Sequence, residues 1–244
     1  MPFFVKTIVF TYNNGYTYYM RKILPYVANF DEVSCQQAVW AMILEKITGA
    51  VQTKVDMDAL CNAQQGKWTW PFAAMKNLSD DGYQVEVRGE FNIAAFAENP
   101  ERYHREFNGI KNTQIATMKS DMDKVVEDAK EVLPYILDGR IIHTLEKPTL
   151  NSITNWLDRG YLINHWLNSR ALADRPGYAG HHVALYAVTD EYFVFHNPGG
   201  YNKDGQPLNH NKGQIVGHQK LLDCSVQPGT GLADISIAIR KPSF

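Results

Sequence analysis

Cysteine is scarce in this chain: only Cys35, Cys61 and Cys224 occur in 244 residues. An odd, widely spaced set without a Cys-x-x-Cys pair argues against a disulfide framework and a cysteine zinc site. It fits a reducing compartment, where a free thiol persists. Long apolar runs are missing as well. No window approaches 18 uninterrupted apolar residues, so no membrane span is expected. Residues 1–10 carry one lysine and an apolar run too short for a secretory signal, with no small-residue cleavage site after it. A cytoplasmic protein is the expectation. Neither sign of charge dominates, with 24 Lys and Arg against 26 Asp and Glu, and no basic run reaches five residues. That leaves no electrostatic footprint for nucleic acid or an anionic membrane. His-Glu-x-x-His is absent, and the adjacent pair His181-His182 is poorly spaced to chelate one ion, so neither metal nor cofactor is expected.

What is present is enough apolar sequence for a sizeable core, 45% of the chain, in one domain of 244 residues. The first half reads mainly as helices. Residues 36–48 have apolar residues at helical spacing, with Ser34 as N-cap and Gly49 as the stop. Residues 55–64, 71–78 and 120–137 follow, the last capped by Ser120 and ended or kinked by Pro134. Residues 16–28 are aromatic-rich and read as partly helical. A β-prone stretch over 5–12 precedes them, with an Asn13-Asn14-Gly15 turn between. Residues 83–88 alternate as a strand does. The pattern changes after a helix at 149–158. Residues 161–167, 182–189, 192–196 and 235–240 read as strands, 212–216 as a weaker one and 217–222 as a short helix. Helices first and strands later give an α+β class, with N-terminal helices packed on a C-terminal antiparallel sheet. Residues 84–148 read as a helical insertion.

Cys35 carries the functional signal. A thiol in the first turn of a buried helix meets free N–H groups and the positive end of the dipole, both of which favour thiolate. Far downstream come Gly180-His181-His182 and His196-Asn197-Pro198-Gly199. Residues 182–189 and 192–196 are separated by a short turn at Asp190-Glu191, so the first strand's start lies beside the second strand's end. His181 and Asn197 occupy those two ends. Cys, His and Asn in this order make a Cys-His-Asn triad: nucleophile, base and orienting group. Successive strand residues face opposite ways, so His181 or His182 faces the thiol, but not both. The backbone N–H of Cys35 and the amide of Asn29 are the candidate oxyanion donors. Asn29 could instead form an Asx-turn, and Asn197-Pro198-Gly199-Gly200 is also an ordinary turn signal. Cys61 and Cys224 lack partners and read as core cysteines. Trp68, Trp70, Tyr161, Trp166 and Tyr178 either line a cleft or are simply buried.

The segment Ser34-Cys35-Gln36-Gln37-Ala38-Val39-Trp40-Ala41-Met42 resembles the nucleophile helix of papain-like cysteine peptidases. More narrowly it resembles the bacteriocin-processing peptidase family (cysteine peptidase family 39) and its stand-alone relatives. There a Gln lies six residues ahead of the Cys, a Gly-His opens a strand, and a His-Asp-Pro-Gly closes the next one. Here Gly180-His181 matches, Asn197 falls sixteen residues after His181, and Gln206-Pro207 onward resembles the family's closing loop. The resemblance covers residues 29–78 and 149–240. It implies a papain-like fold with Cys35, His181 and Asn197 as catalytic residues, Asn29 at the oxyanion position, and Gln36, Gly180 and His182 beside the substrate. It also implies a peptide or small acyl or amide substrate. Three residues depart from the pattern: Asn29 for the oxyanion Gln, Gln36 for the Gly after Cys, and Asn197 for the Asp. The functions it leaves open are hydrolysis, acyl transfer to an amine, and partner binding without catalysis.

Overall fold

Alternating apolar segments from both halves of the chain pair into one large sheet. The computed structural model describes residues 8–11, 17–20, 24–107, 120–199, 211–226 and 235–242. The sheet contains β3 (Gln84–Arg88), β4 (Ile141–Thr144), β5 (Leu162–Asn168), β6 (Gly180–Val188), β7 (Tyr192–His196), β8 (Gln214–Gly217) and β9 (Ser236–Arg240). Their spatial order is β4-β3-β9-β5-β6-β7-β8. Strands β1 (Ile8–Thr11) and β2 (Thr17–Met20) form a separate antiparallel pair. The described helices are α1 (Cys35–Thr48), α2 (Lys54–Leu60), α3 (Phe72–Asp80), α4 (Ile93–Glu98), α5 (Pro100–Phe107), α6 (Met122–Leu137), α7 (Leu150–Asp158), α8 (Ser169–Leu172) and α9 (His218–Cys224). The chain is therefore a mixed helix-and-sheet protein.

Both faces of the sheet are covered. One core joins α1 through α6 to Val85, Val87, Ile141, Ala184, Ile237 and Ile239. The other joins α7 and α9 to Ile163, Val183, Leu185, Phe193, Phe195 and Ala238. The alternation is visible on β9, where Ile237 and Ile239 enter one core and Ala238 the other, as the two-residue strand period requires. Helix α1 lies at the centre. Every residue from Gln36 to Leu44 is buried, so it is covered on all sides, not on a single stripe. Burying a large side chain such as Trp40, Met42 or Ile43 contributes about 1.5–3 kcal/mol apiece. Gly49, at φ 76°, ends the helix by donating its N–H to the Glu45 carbonyl at 2.8 Å.

Several expectations are corrected. The sheet is not purely antiparallel or C-terminal, because β3 and β4 pair in parallel and come from the middle of the chain. Segment 84–148 is thus more than a helical insertion. Its ends extend the sheet, and α4, α5 and α6 lie between them. The apolar run Ile141-Ile142 is too short to declare a strand without its partner β3. Residues 17–20 are a strand, not a helix, consistent with the β-preference of Thr and Tyr. Pro134 does not end α6, which runs on to Leu137. The N-cap of α6 is Asp121, whose carboxylate accepts from the Lys124 N–H at 3.3 Å, and not Ser120. The Asn13-Asn14-Gly15 turn and the Gln206-Pro207 loop lie outside the described residues. Among the described residues no helix is long and apolar enough to cross a membrane.

Candidate active site

Cys35 is the first residue of α1, and the preceding loop is held by hydrogen bonds of its own. The Asp31 carboxylate accepts from the Val33 N–H at 3.0 Å, and Ser34 Oγ accepts from the Asp31 N–H at 2.9 Å. Ser34 sits at the N-cap position but its side chain caps no helix N–H, because it is turned back to Asp31. The free N–H groups of the first turn are left for Cys35, and the Gln36 N–H bonds its sulfur.

His181 and Asn197 meet where β6 and β7 place them. Asn197 Oδ1 lies 2.7 Å from His181 Nε2 and also accepts from the Gly199 N–H at 3.0 Å. The backbone donor fixes the amide orientation, since only its oxygen can accept. His181 Nε2 must then carry a proton, leaving Nδ1 for the thiol. The imidazole hydrogen-bonds the Cys35 sulfur, as does the backbone N–H of His182. Burial pushes the Cys35 thiol up, but the facing charge of His181 and these hydrogen bonds outweigh it and hold the thiol below its ordinary range. Burial likewise pushes His181 down, and the Cys35 sulfur together with Asn197 reverses this and raises it. The two shifts are reciprocal, each group favouring the charged form of the other. Such a pair can attack an electrophilic carbon and then protonate a leaving group.

His182 points elsewhere. Its Nδ1 donates to Asn164 Oδ1 at 2.7 Å, its ring stacks on Trp166, and burial lowers it to about 3. His196 is equally committed, with Nδ1 accepting from the Gly213 N–H and Nε2 donating to the Leu24 carbonyl. The structure therefore brings His181, and neither neighbouring histidine, to Cys35. Cys61 and Cys224 are buried with their thiols pushed up by burial.

The pair opens onto a cleft of about 410 Å³ lined by Asn29, Glu32, Val33, Cys35, Trp68, Thr69, Trp70, Ser120, Trp166, Tyr178, Ala179, Gly180, His181 and His182. Asn29 lines it with no Asx-turn. Its N–H donates to the Pro198 carbonyl at 2.8 Å, tying the loop before Cys35 to the loop after β7. Its carboxamide oxygen is the buried end, without a hydrogen-bond partner among the described residues. Gln36 is a correction. Only 1% exposed, it does not line the cleft, because one residue along the helix rotates it about 100° from Cys35 and under the helix start. Both ends of its carboxamide lack a partner among the described residues. Each such buried group costs about 1–3 kcal/mol. Gly180 does line the cleft, and its lack of a side chain has a steric reason. A Cβ there would stand 2.7 Å from the Trp166 indole nitrogen. Of the five aromatic candidates, Trp68, Trp70, Trp166 and Tyr178 line the cleft, and Tyr161 is buried away from it against Glu86.

Sequence reasoning missed Glu32 and the role of Gly199. A Cβ at Gly199 would stand 2.7 Å from His181 Cε1 and 3.1 Å from Nε2. The glycine lets the loop lie flat on the imidazole. Gly199→Ala is expected to push His181 off Asn197 and lower the rate of Cys35 alkylation at pH 6 by roughly tenfold or more, since misplaced groups lose orders of magnitude. An unchanged rate with an unchanged His181 NMR environment would refute the contact.

No family model matches this chain, and no curated protein is similar to it.

Proposed function

We propose that this protein is a cysteine-nucleophile hydrolase with a papain-like fold, acting on a peptide or other amide through a thioester. The observation that carries the reading is the continuous chain Cys35–His181–Asn197: the Gly199 N–H orients the Asn197 amide, the amide oxygen orients the imidazole, and the imidazole faces the Cys35 sulfur. The motifs resembling the bacteriocin-processing peptidases add to it. Asn29 supports it too, since it stands in the cleft at the sequence distance from Cys35 that the resemblance assigns to the oxyanion donor.

The Cys35 thiolate adds to the amide carbonyl carbon. The carbonyl oxygen takes the negative charge beside the Asn29 side chain and the Cys35 N–H. As the C–N bond breaks, the His181 imidazolium gives its proton to the departing amine. Neutral His181 then takes a proton from water. The hydroxyl adds to the thioester, and the C–S bond breaks to release the acid and restore the thiolate–imidazolium pair. An amine in place of water at the last stage would make the same enzyme an acyltransferase.

The test is cleavage of a complex peptide mixture by the wild type and by Cys35→Ala, read by mass spectrometry with and without an added primary amine. New carboxyl termini that depend on Cys35 are expected. New amides in the presence of the amine would favour acyl transfer. Neither product, together with an unreactive Cys35, would leave a partner-binding module as the remaining reading.

A further inference from the structure

The walls of the cleft have a chemistry of their own, which rests on the hydrolase reading and narrows its substrate. Two aromatic side chains among the exposed large hydrophobics, Trp68 at 45% and Tyr178 at 40%, both stand on this cleft. They come from different parts of the chain, Trp68 from the loop between α2 and α3 and Tyr178 from the loop before β6. Partly exposed aromatic rings at a concave site offer contact area to a ligand. Trp166 and Trp70 also line the cleft, packed edge to face with ring centroids 5.3 Å apart, and the Trp70 indole N–H donates to Ser120 Oγ at 3.1 Å.

The cleft's charge is one-sided. Apart from the thiolate and the histidines, Glu32 is the sole ionisable lining residue besides Tyr178 among the described residues. Its neighbour Asp31 is occupied by Lys54 at 3.4 Å, yet Glu32 has no ion pair or hydrogen bond among the described residues. Among the described residues no lysine or arginine lines the walls. A neutral or anionic ligand would cover this carboxylate without pairing it, and desolvating an unpaired charge is unfavourable. A cation would meet the carboxylate and the negative faces of the rings at once.

The geometry points to a substrate with a positively charged group, an ammonium or guanidinium, next to the scissile amide, held by Glu32 and the faces of Trp68 and Tyr178.

The test uses two alkyl bromides of the same shape, (2-bromoethyl)trimethylammonium and 1-bromo-3,3-dimethylbutane. Each labels Cys35 by forming an S–C bond and releasing bromide. Each rate is divided by the rate on free N-acetylcysteine, and the cation-to-neutral ratio is read at low salt. A ratio of about ten is expected for the wild type. Glu32→Gln and Trp68→Ala should each reduce it by about three- to fivefold, the size of one screened ion pair or one cation–π contact. A wild-type ratio near one, with Cys35 still labelled quickly by iodoacetamide at pH 6, overturns this inference alone. So does a high ratio that neither substitution changes, since the thiolate itself would then be attracting the cation. Slow labelling by iodoacetamide would instead overturn the hydrolase reading beneath it.

Discussion

Replacing His181 by alanine is expected to slow iodoacetamide alkylation of Cys35 by roughly 100-fold at pH 6, and to abolish turnover at the same pH. The nucleophile is the thiolate, so the rate follows its fraction. In the folded protein that fraction is held up by the imidazolium, which pulls the Cys35 thiol below its ordinary range against the opposing effect of burial. A free thiol with a pKa of about 8.5 is only about 0.3% ionised at pH 6. Lower basicity makes the paired thiolate intrinsically somewhat less nucleophilic, which offsets part of the gain. Without the imidazolium, burial alone would act, and the variant's rate should rise only in the alkaline range. The wild-type profile should instead have a plateau reaching well below pH 8.5, bounded on its acid side by protonation of Cys35. Identical profiles for the two proteins would mean that His181 does not ionise the thiol. Cys61 and Cys224 provide the internal comparison, since both are buried with raised thiols and should label slowly in either protein.

Why this triad can be read from the sequence, while the cleft around it cannot, follows from where the information lies. Cys35 needs only the start of a helix, which its neighbours declare. His181 and Asn197 need only the two ends of a hairpin whose strands are continuous in sequence. The walls need elements that approach one another only through the sheet. Trp68 and Tyr178 are 110 positions apart, and nothing local distinguishes them from Tyr161, an equally aromatic candidate that is buried elsewhere. Gln36 was legible as a side chain next to the nucleophile but not as a buried one, because α1 is covered on all sides only once β5, β6 and α2 pack on it. Strand β4 was hidden for the same reason: four residues with no alternating pattern become a strand because β3 offers them a ladder. Pro134 shows the reverse. A strong local stop signal is overridden near a helix end, where the neighbours Val132 and Ile136 remain packed against the core.

Acid should destabilise this protein well before its carboxylates titrate, with a loss of roughly 4 kcal/mol between pH 8 and pH 5 from His165 and His182 alone. His165 is wholly buried between two hydroxyls. Ser225 Oγ donates to the Leu221 carbonyl at 2.8 Å, so it accepts from His165 Nε2, and Ser236 Oγ then donates to Nδ1. This arrangement accommodates the neutral ring, and a second ring proton would have to turn the Ser236 hydroxyl from donor to acceptor without any carboxylate among the described residues to balance the charge. Burial accordingly lowers His165 to about 4. Burial also lowers His182, to about 3, with the nearby positive charge of His181 adding to it. Unfolded, both rings take up protons near pH 6.5. Between that value and their folded values the unfolded chain binds more protons, so stability rises with pH and is lost as pH falls. Each ring contributes about 2 kcal/mol over the interval from pH 8 to pH 5, set against a typical domain stability of about 5–15 kcal/mol. Urea unfolding at a series of pH values measures the loss, and the ring-proton NMR signals of His165 and His182 identify its source. Both signals should stay fixed down to pH 5 while His181 keeps its proton above pH 6.5. A stability that changes by less than about 1 kcal/mol over the interval, or a His165 signal that titrates near 6.5, would show that these rings are not locked in the neutral form.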